Sequence, residues 1–353
     1  MQTISANGYS VFFNEEGYNE INTLIVKNNY STLFILSDEN TNEHCVPTFL
    51  ANLATKITIE IIEIEPGESL KNITTCVEVW TILTELGADR KSLLINIGGG
   101  VITDLGGFVA STFKRGIDFI NVPTSLLGMV DASIGGKNGV DLGNLKNQIG
   151  VINVPQMVLI DSNYLETLPK EQMLSGFAEM LKHGLIYDKS YWESFLDLSK
   201  IDFADFDEYI YRSIEIKNEI VKQDPTENGI RKALNFGHTL GHAIESHFLN
   251  SKSPLLHGEA IAIGMILEAF ISKEKSLITL LEYQEIKNTI KSIYKEYNIS
   301  EKDIHLIEKF LIHDKKNEYG KIQFALLNGI GGVQINEVVD NELILSSFTD
   351  YKM

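Results

Sequence analysis

Residues 231–257 contain the densest group of side chains that could bind an ion. Four polar side chains recur there at intervals of three or four residues: Arg231, Asn235, His238 and His242. If this segment is one helix, all four lie on one side of it. Each would need a polar partner in a core, and the intervening Gly237 and Gly241 would each cost about 1 kcal/mol relative to alanine. We therefore predict that a ligand or a second element comes close, and that the stripe lines a polar site for a metal or an anion.

A metal is one possible occupant of this site. His238 and His242 stand at positions i and i+4, a spacing at which two imidazoles can share one ion. With His257 and Glu179 added, the chain offers enough nitrogen and oxygen donors for a zinc-like site with an open position. The sequence has no HExxH motif, so a metalloprotease is not indicated. Glu179 and Lys182 share a helix face in GFAEMLKHG; the alternative for this pair is a surface ion pair, and for a single histidine it is a structural role.

A glycine-rich turn at residues 98–100 joins a predicted strand to a predicted helix. Glycines let the backbone approach a pyrophosphate, and the helix N-terminus favours an anion. The match to the dinucleotide fingerprint is partial, because Thr103 stands where the third glycine belongs. Asp38, at the end of an earlier strand, could accept a hydrogen bond from a ribose hydroxyl or could cap a helix. Together the two features favour a bound dinucleotide.

A second glycine-rich segment, DASIGGK at residues 131–137, resembles a phosphate-binding loop but lacks two of its required residues. Asp131 replaces a glycine, and Asn138 follows Lys137 where serine or threonine is needed, so an ATP site is not predicted. Lys137, with Lys146 and Asn147 shortly after it, could still bind an anion. The alternative is a turn with solvated lysines.

The elements that would position these residues differ between the two halves of the chain. Short apolar runs at residues 31–37, 57–64, 92–97 and 118–122 alternate with helical patterns, which predicts an α/β domain with a mostly parallel sheet. After about residue 165, helical periodicity dominates, with strands expected only near 322–327 and 333–335. We predict two domains, residues 1–168 and 169–353, the second mostly helical.

Composition excludes several classes of function. The 353 residues carry a net charge of −18, which argues against nucleic acid and anionic membranes as partners. No apolar run approaches the length of a membrane span, and no secretory signal is visible at the N-terminus. The two cysteines form neither a disulfide framework nor a metal motif, so we expect a cytoplasmic protein.

Taken in order, the motifs resemble those of the 3-dehydroquinate synthase family. They are GGGVITDLGGFVASTFKRG, VPTSLLGMVDASIGGKNGVD, LKNQIG, GFAEMLKHGLI, RKALNFGHTLGHAIE and LHGEAIAIGM. Each motif alone is of modest specificity, whereas the ordered set, from Asp38 to the DKKN segment at 314–317, is highly specific. The resemblance implies a Rossmann-like N-terminal domain, a mainly α-helical C-terminal domain, an active site in the cleft between them and a homodimer.

The resemblance also implies roles for individual residues. It assigns a metal, zinc or cobalt, to Glu179, His238 and His257. His242 is then expected to bind the substrate phosphate and not the metal. The residues expected around NAD are Asp38, Asn40, Glu68, Lys71, Gly99, Gly100, Asp104, Thr124, Ser125, Lys137, Lys146 and Thr167. The residues expected around the substrate are Asp131, Lys137, Asn147, Lys182, Lys217, Glu227, Arg231, Asn235, His242 and one or both of Lys315 and Lys316. Arg115 is expected to reach the site of the neighbouring subunit.

The implied reaction converts 3-deoxy-D-arabino-heptulosonate 7-phosphate to 3-dehydroquinate and phosphate, the second step of the shikimate pathway. It involves transient oxidation at C5 by NAD, β-elimination of phosphate, reduction, ring opening and an intramolecular aldol closure. Another sugar phosphate cyclase, such as a 2-deoxy-scyllo-inosose synthase, is one alternative. A glycerol dehydrogenase-like polyol dehydrogenase and a non-catalytic binding protein are the others.

Overall fold

The computed structural model describes residues 1–143, 145–200, 206–249, 251, 253–312 and 322–352. The chain divides into two compact units, Met1–Met173 and Leu174–Met353, a few residues after the boundary predicted at 168/169. None of the helices in the described ranges combines the length and apolar character that a bilayer-spanning segment requires.

The first unit contains nine strands and five α-helices among its described residues. The strands are β1 (Ile4–Ser5), β2 (Ser10–Phe13), β3 (Leu33–Asp38), β4 (Ile59–Ile64), β5 (Leu93–Gly98), β6 (Asp118–Pro123), β7 (Lys137–Leu142), β8 (Leu145–Ile152) and β9 (Val158–Ile160). The helices are α1 (Asn14–Asn28), α2 (Glu39–His44), α3 (Val46–Ala51), α4 (Ile73–Glu85) and α5 (Gly100–Thr112).

Seven of these strands form one sheet in the order β1-β2-β9-β6-β5-β3-β4. All neighbours pair in parallel except β1 and β2, which form an antiparallel edge. Both β3 and β5 are apolar and buried along nearly their whole length, as expected for strands covered on both faces. Side chains of α4 and α5, among them Val79, Leu83, Leu105 and Val109, pack on the sheet residues Phe34, Leu36 and Phe119. The α/β prediction for this half is confirmed.

The order of the sheet creates a switch point between β3 and β5. From β3 the chain passes to β4 on one side, then crosses to β5 on the other side and continues to β6 and β9. In open α/β sheets, ligands bind beyond the carboxyl ends of the strands at such a point. Asp38 ends β3, and Gly99-Gly100 follow β5 directly, so both predicted dinucleotide contacts lie at this switch point.

The second unit is mainly helical. Its helices are α6 (Lys170–Tyr187, which begins at the end of the first unit), α7 (Lys189–Glu193), α8 (Phe206–Gln223), α9 (His238–Phe248), α10 (His257–Glu274), α11 (Leu280–Ile293), α12 (Glu301–Ile312) and α13 (Asn341–Tyr351). The antiparallel pair β10 (Gln323–Leu327) and β11 (Val333–Val338) completes it. Helix α10 is buried on all sides over most of its length, so it is the centre of this unit.

The prediction of one continuous helix through Arg231 and His242 is wrong. Residues Ile230–Asn235 form a 3₁₀ helix, the backbone then opens, and α9 begins only at His238. The break is caused by Gly237, which has a φ of 77°, a conformation that other residues adopt only with strain. A Cβ at this position would also lie 2.6 Å from Met265 Cγ on α10. The polar stripe therefore comes from two separate elements.

Three other segments differ from the sequence prediction. The glycine-rich region after residue 136 forms the antiparallel hairpin β7–β8, where only a turn was expected. The helical periodicity of the sequence runs from residue 191 to residue 198, but α7 ends at Glu193. Helices α12 and α13 were not predicted.

Candidate active site

A buried carboxylate and two imidazoles meet inside the second unit. Glu179 lies in the middle of α6 and is fully buried. Its Oε1 atom is 3.4 Å from Nε2 of His238 and 3.6 Å from Nε2 of His257. Its Oε2 atom accepts a hydrogen bond from Lys182 one turn further along α6. The two histidines are the first residues of α9 and α10, so three helices converge on this cluster.

The cluster fits a divalent metal. Glu179 Oε1 is buried and has no hydrogen-bond partner among the described residues, which is costly unless something else binds it. Donor atoms that share a tetrahedral zinc at about 2.0–2.1 Å are separated by about 3.3 Å. The two distances from Oε1 to the imidazole nitrogens are close to this separation. One carboxylate and two imidazoles, with an open position, are also a known ligand set of catalytic zinc.

Hydrogen bonds on the far side of each ring direct Nε2 toward Glu179. Nδ1 of His238 lies 3.1 Å from the Phe236 carbonyl, and Nδ1 of His257 lies 3.1 Å from Glu245 Oε2. A carbonyl or a carboxylate only accepts, so Nδ1 donates in both cases. This is the arrangement in which Nε2 serves as a metal ligand. Sequence reasoning missed Glu245, although it lies seven positions after His238 and three after His242 and so shares their helix face.

The pKa values of His238, His257 and Glu179 reflect their burial and the charges around them. Burial lowers the pKa of His238 to about 4, with Lys182 adding to the effect, so this ring is neutral. Burial also disfavours a charged His257, but the Glu245 and Glu179 carboxylates outweigh it and raise its pKa to about 10. Burial opposes ionisation of Glu179, yet the Lys182 ammonium and His238 hold its pKa well below the usual value. The carboxylate is therefore available as an anionic ligand.

Close backbone contacts fix the relative position of the three helices. A Cβ on Gly264 of α10 would lie 2.0 Å from the carbonyl oxygen of Gly237, so α9 and α10 touch there through their backbones. A Cβ on Gly258 would lie 2.2 Å from the Ser175 carbonyl oxygen of α6, and the Gly258 amide donates to Ser175 Oγ at 2.9 Å. The start of α10, including His257, is thus held against α6 one turn before Glu179.

His242 belongs to the same cluster. Its ring centroid is 5.0 Å from that of His238 and 5.6 Å from that of His257. Donor atoms of these three histidines all lie within 4.8 Å of one another, so they form an alternative ligand set. The geometry is therefore compatible with the pairing that the i, i+4 spacing suggests and also with the set that contains Glu179.

Two buried cations lie elsewhere in the second unit. Lys217 on α8 and Arg231 in the 3₁₀ helix are nearly inaccessible to solvent. Arg231 Nη1 donates to the Pro225 carbonyl at 2.6 Å. Asn235 Nδ2, four residues on, donates to Glu227 Oε1 at 3.0 Å. Buried cations of this kind suit an anionic ligand, because desolvated charges bind opposite charges strongly.

Asp224 fixes the conformation of the loop that precedes Arg231 and Asn235. Sequence reasoning missed this residue as well. Its carboxylate accepts hydrogen bonds from the backbone amides of Asn228 at 3.0 Å, Gly229 at 2.7 Å and Arg231 at 3.1 Å. Burial works to raise the pKa of Asp224, but the backbone donors outweigh it and hold the pKa below its usual value. One carboxylate thereby fixes the turn that carries Glu227, whose φ is 62°.

In the first unit, the N-terminus of α5 lies at the switch point of the sheet. Gly99 is its N-cap and provides no side-chain cap to the first turn. A Cβ on Gly99 would lie 3.1 Å from Ser125 Oγ. Uncapped amides at a helix N-terminus next to small residues suit a phosphate group.

Charged residues beside this turn form a part-buried network. Lys71 Nζ donates to Asp104 Oδ2 at 2.6 Å and to Asn147 Oδ1 at 2.8 Å. Burial works to lower the pKa of Lys71, but the Asp104, Glu68 and Asp141 carboxylates raise it above its usual value. Burial raises the pKa of Asp104, and Lys71 opposes this.

The hairpin joins the same network. Lys146 Nζ donates to Glu68 Oε1 at 2.6 Å and lies 3.7 Å from Asp141 Oδ2. The Asn147 amide donates to Asp141 Oδ1 at 2.7 Å, and Asn147 has a φ of 51°. Asp141, which sequence reasoning missed, therefore holds Lys146 and Asn147, two of the three hairpin residues that were predicted to bind ligand. The sequence gives little indication of this role, because Asp141 is a single acidic residue in a polar segment.

The remaining predicted residues fall into four groups. Asp38 caps α2 through a capping box with Thr41. Thr124 is buried just beyond β6, Ser125 is part-buried next to it, Asp131 lies in a π-helical turn and Lys137 begins β7. Asn40, Thr167 and Arg115 are exposed. Lys315 and Lys316 lie outside the described residues.

Solved structures with the same fold cover nearly the whole chain. A 2-deoxy-scyllo-inosose synthase complexed with carbaglucose-6-phosphate, NAD+ and Co2+ aligns with a TM-score of 0.87 at 24% identity over 99% of both chains. A probable glycerol dehydrogenase from Sinorhizobium meliloti aligns less well, with a TM-score of 0.63 at 13% identity over 99% of this chain and 98% of that one. The chain therefore has the same fold as the 2-deoxy-scyllo-inosose synthase.

Comparison with known sequences identifies the family of the chain. Family models described as the N-terminal and C-terminal regions of 3-dehydroquinate synthase match residues 61–175 and 176–317. A 3-dehydroquinate synthase from Parabacteroides distasonis is 41% identical over 92% of both chains. One from Lactococcus lactis subsp. cremoris is 42% identical over 81% of both chains. The chain belongs to the 3-dehydroquinate synthase family, so the resemblance predicted from the motifs is confirmed.

Proposed function

We propose that this chain converts 3-deoxy-D-arabino-heptulosonate 7-phosphate to 3-dehydroquinate and inorganic phosphate, with NAD and one zinc or cobalt ion as cofactors. The single observation that carries the proposal is the family match, which runs through both units. It includes the glycine-rich turn of the first unit and the Glu179 cluster of the second. In this proposal the protein acts in the cytoplasm as a homodimer, in which the exposed Arg115 contacts the site of the second copy.

The metal is held by Glu179, His238 and His257 in this proposal. Metal binding displaces the proton of His257, so both imidazoles are then neutral and Glu179 supplies the only charge among the three ligands. Its second oxygen is bound by Lys182, which keeps Oε1 directed at the imidazoles. When bound, the metal polarises a substrate oxygen, and NAD accepts a hydride that it later returns. Burial of Glu179 strengthens these interactions, because water does not compete with them.

The substrate carries a carboxylate and a phosphate, so its site needs several cations. We assign Lys217 and Arg231 to this task, with Asn235, Glu227 and His242 as polar neighbours. The guanidinium of Arg231 is oriented by Pro225 at one edge, and Asn235 is oriented by Glu227. Since these partners fix the side chains before the substrate arrives, less entropy is lost on binding.

NAD is assigned to the switch point of the first unit. The amides at the start of α5 bind the pyrophosphate, and Asp38 accepts a hydrogen bond from a ribose hydroxyl. Lys71 and Lys146 lie beside this turn, and Asp104, Glu68 and Asp141 keep Lys71 protonated. We also place Asp131, Lys137 and Asn147 in the substrate site.

The test is a coupled assay of phosphate release. The protein is incubated with the heptulosonate phosphate, NAD and zinc, and inorganic phosphate and absorbance at 340 nm are followed together. We expect one phosphate per substrate consumed and no accumulating NADH. A hexose 6-phosphate without a carboxylate is the control for a 2-deoxy-scyllo-inosose synthase activity, and glycerol is the control for a polyol dehydrogenase. Phosphate release only from the hexose phosphate, or net NADH from glycerol, would overturn the proposal.

A further inference from the structure

The helix that begins with His238 has an unusual N-terminus. Its N-cap residue is Gly237, which has no side chain to bind the free amides of the first turn. A larger residue is excluded there, because φ is 77° and a Cβ would lie 2.6 Å from Met265 Cγ. Any cap for α9 must therefore come from another element.

Glu268, on the buried helix α10, provides this cap. Its Oε2 atom accepts a hydrogen bond from the Gly237 amide at 2.7 Å, and its Oε1 atom accepts one from the Leu240 amide at 3.0 Å. These are the N-cap and N3 amides, the same two donors that a capping box satisfies with two residues of the helix itself. Here one fully buried carboxylate from a neighbouring helix binds both.

The Gly237 amide is directly linked to His238. The peptide group that joins Phe236 to Gly237 has its N–H bound by Glu268 and its carbonyl bound by Nδ1–H of His238. Fixing the N–H end of a rigid peptide plane fixes the direction of its carbonyl. A hydrogen bond from a carboxylate to the N–H also polarises the group and makes the carbonyl a better acceptor.

We infer that Glu268 is a positioning residue for the metal: it holds the Phe236–Gly237 peptide, which in turn fixes the tautomer and orientation of His238. The inference rests on the metal site of the proposed function. Nε2 of His238 lies 3.4 Å from Glu179 Oε1. Rotation of the imidazole about its Cβ–Cγ bond would move Nε2 away from this oxygen. Partners of ligating histidines typically change metal affinity by about 10–100-fold when they are removed.

The test compares zinc affinity in two variants that each lose a helix cap. Glu268→Gln keeps the shape of the side chain but replaces one acceptor oxygen by a donor group that faces an amide. Glu282→Ala is the control, because Glu282 accepts from the Thr279 amide at 2.8 Å in the capping box of α11. Zinc affinity is measured by competition with a chromogenic chelator, and stability by urea unfolding of the metal-free proteins.

We expect Glu268→Gln to weaken zinc binding by about 10–100-fold, while Glu282→Ala binds zinc as the unaltered protein does. If zinc affinity in Glu268→Gln stays within twofold of the unaltered protein, or falls equally in both variants, the inference is wrong. If the unaltered protein binds neither zinc nor cobalt, the proposed function fails instead, so the two failures are distinguishable.

A measurement on the unaltered protein covers the case in which Glu268→Gln does not fold. Amide hydrogen exchange of Gly237 and Leu240 is followed in the metal-free protein. Because Glu268 binds both amides without a metal, we expect both to be strongly protected. Exchange of either amide at the rate of an open loop would contradict the inference.

Discussion

The contact between α9 and α10 at Gly264 gives a direct test of how the metal site is positioned. An ideal Cβ at this residue would lie 2.0 Å from the Gly237 carbonyl oxygen and 2.9 Å from the Gly241 amide nitrogen. Both obstacles are backbone atoms, so no side-chain rotation relieves them. In Gly264→Ala the two helices must separate by about 1 Å.

This displacement should change both the free energy of unfolding and the affinity for zinc. Overpacking costs about 1–3 kcal/mol, and the higher helix propensity of alanine returns about 1 kcal/mol, so a net loss of up to about 2 kcal/mol is expected. Since ligand distances in metal sites are held within about 0.2 Å, a shift of His238 relative to His257 by several times this amount should weaken zinc binding at least about tenfold.

The matched control is Gly17→Ala in α1 of the first unit. Its Cβ would lie 2.2 Å from Leu159 Cδ1, a similar overlap with the end of a side chain that can rotate. Urea unfolding of the metal-free proteins and zinc competition titrations are run on both variants. We expect Gly17→Ala to differ from the unaltered protein by less than about 1 kcal/mol and to bind zinc equally. Equal zinc affinity and an unchanged urea midpoint in Gly264→Ala would refute the reasoning.

Two further predictions concern buried carboxylates. Asp224→Asn weakens the hydrogen bonds to three backbone amides and should cost about 1.5–3 kcal/mol at neutral pH. Because the folded pKa of Asp224 is lowered, this contribution is complete above the unfolded pKa of about 3.9 and is lost as the pH falls through the lower folded value. The difference in free energy of unfolding between the unaltered protein and Asp224→Asn, measured with urea from pH 7 to pH 2, should therefore shrink below pH 4. A difference that stays constant over this range would contradict the prediction. Lys71→Met leaves the part-buried Asp104 without its cation and should cost about 1–3 kcal/mol, with weaker NAD binding in a fluorescence titration. A Lys71→Met/Asp104→Leu protein should regain much of this stability, and a double variant as unstable as the single one would argue against the pair.

The first unit was largely predictable because its central strands are short apolar runs. Strands β3 and β5 are buried on both faces, so local composition alone marks them. The hairpin β7–β8 was missed for the opposite reason. It is polar and glycine-rich, and Gly139 and Gly150 sit face to face, where a Cβ on either would lie 2.6 Å from a carbonyl oxygen of the facing strand. Such a pairing depends on the partner strand and not on local propensity.

In the second unit, the predicted metal ligands Glu179, His238 and His257 lie close together, but the helix expected through residues 230–248 is divided. The i, i+4 spacing of His238 and His242 holds within α9, but Arg231 and Asn235 lie in a different element. The break between them is set by the packing of Gly237 on Met265 of α10, a contact between residues far apart in sequence. Glu268 was missed for the same reason, since it caps α9 from another helix and no local motif predicts it.

The most direct test of the central claim is the zinc content of single-residue variants, measured after dialysis against zinc by elemental analysis. The account predicts one zinc per chain in the unaltered protein and in His242→Ala. It predicts loss of that zinc in Glu179→Gln, His238→Ala and His257→Ala, with the fold retained by circular dichroism. A His242→Ala protein without zinc, together with a Glu179→Gln protein that keeps it, would show that three histidines hold the metal and would contradict the account.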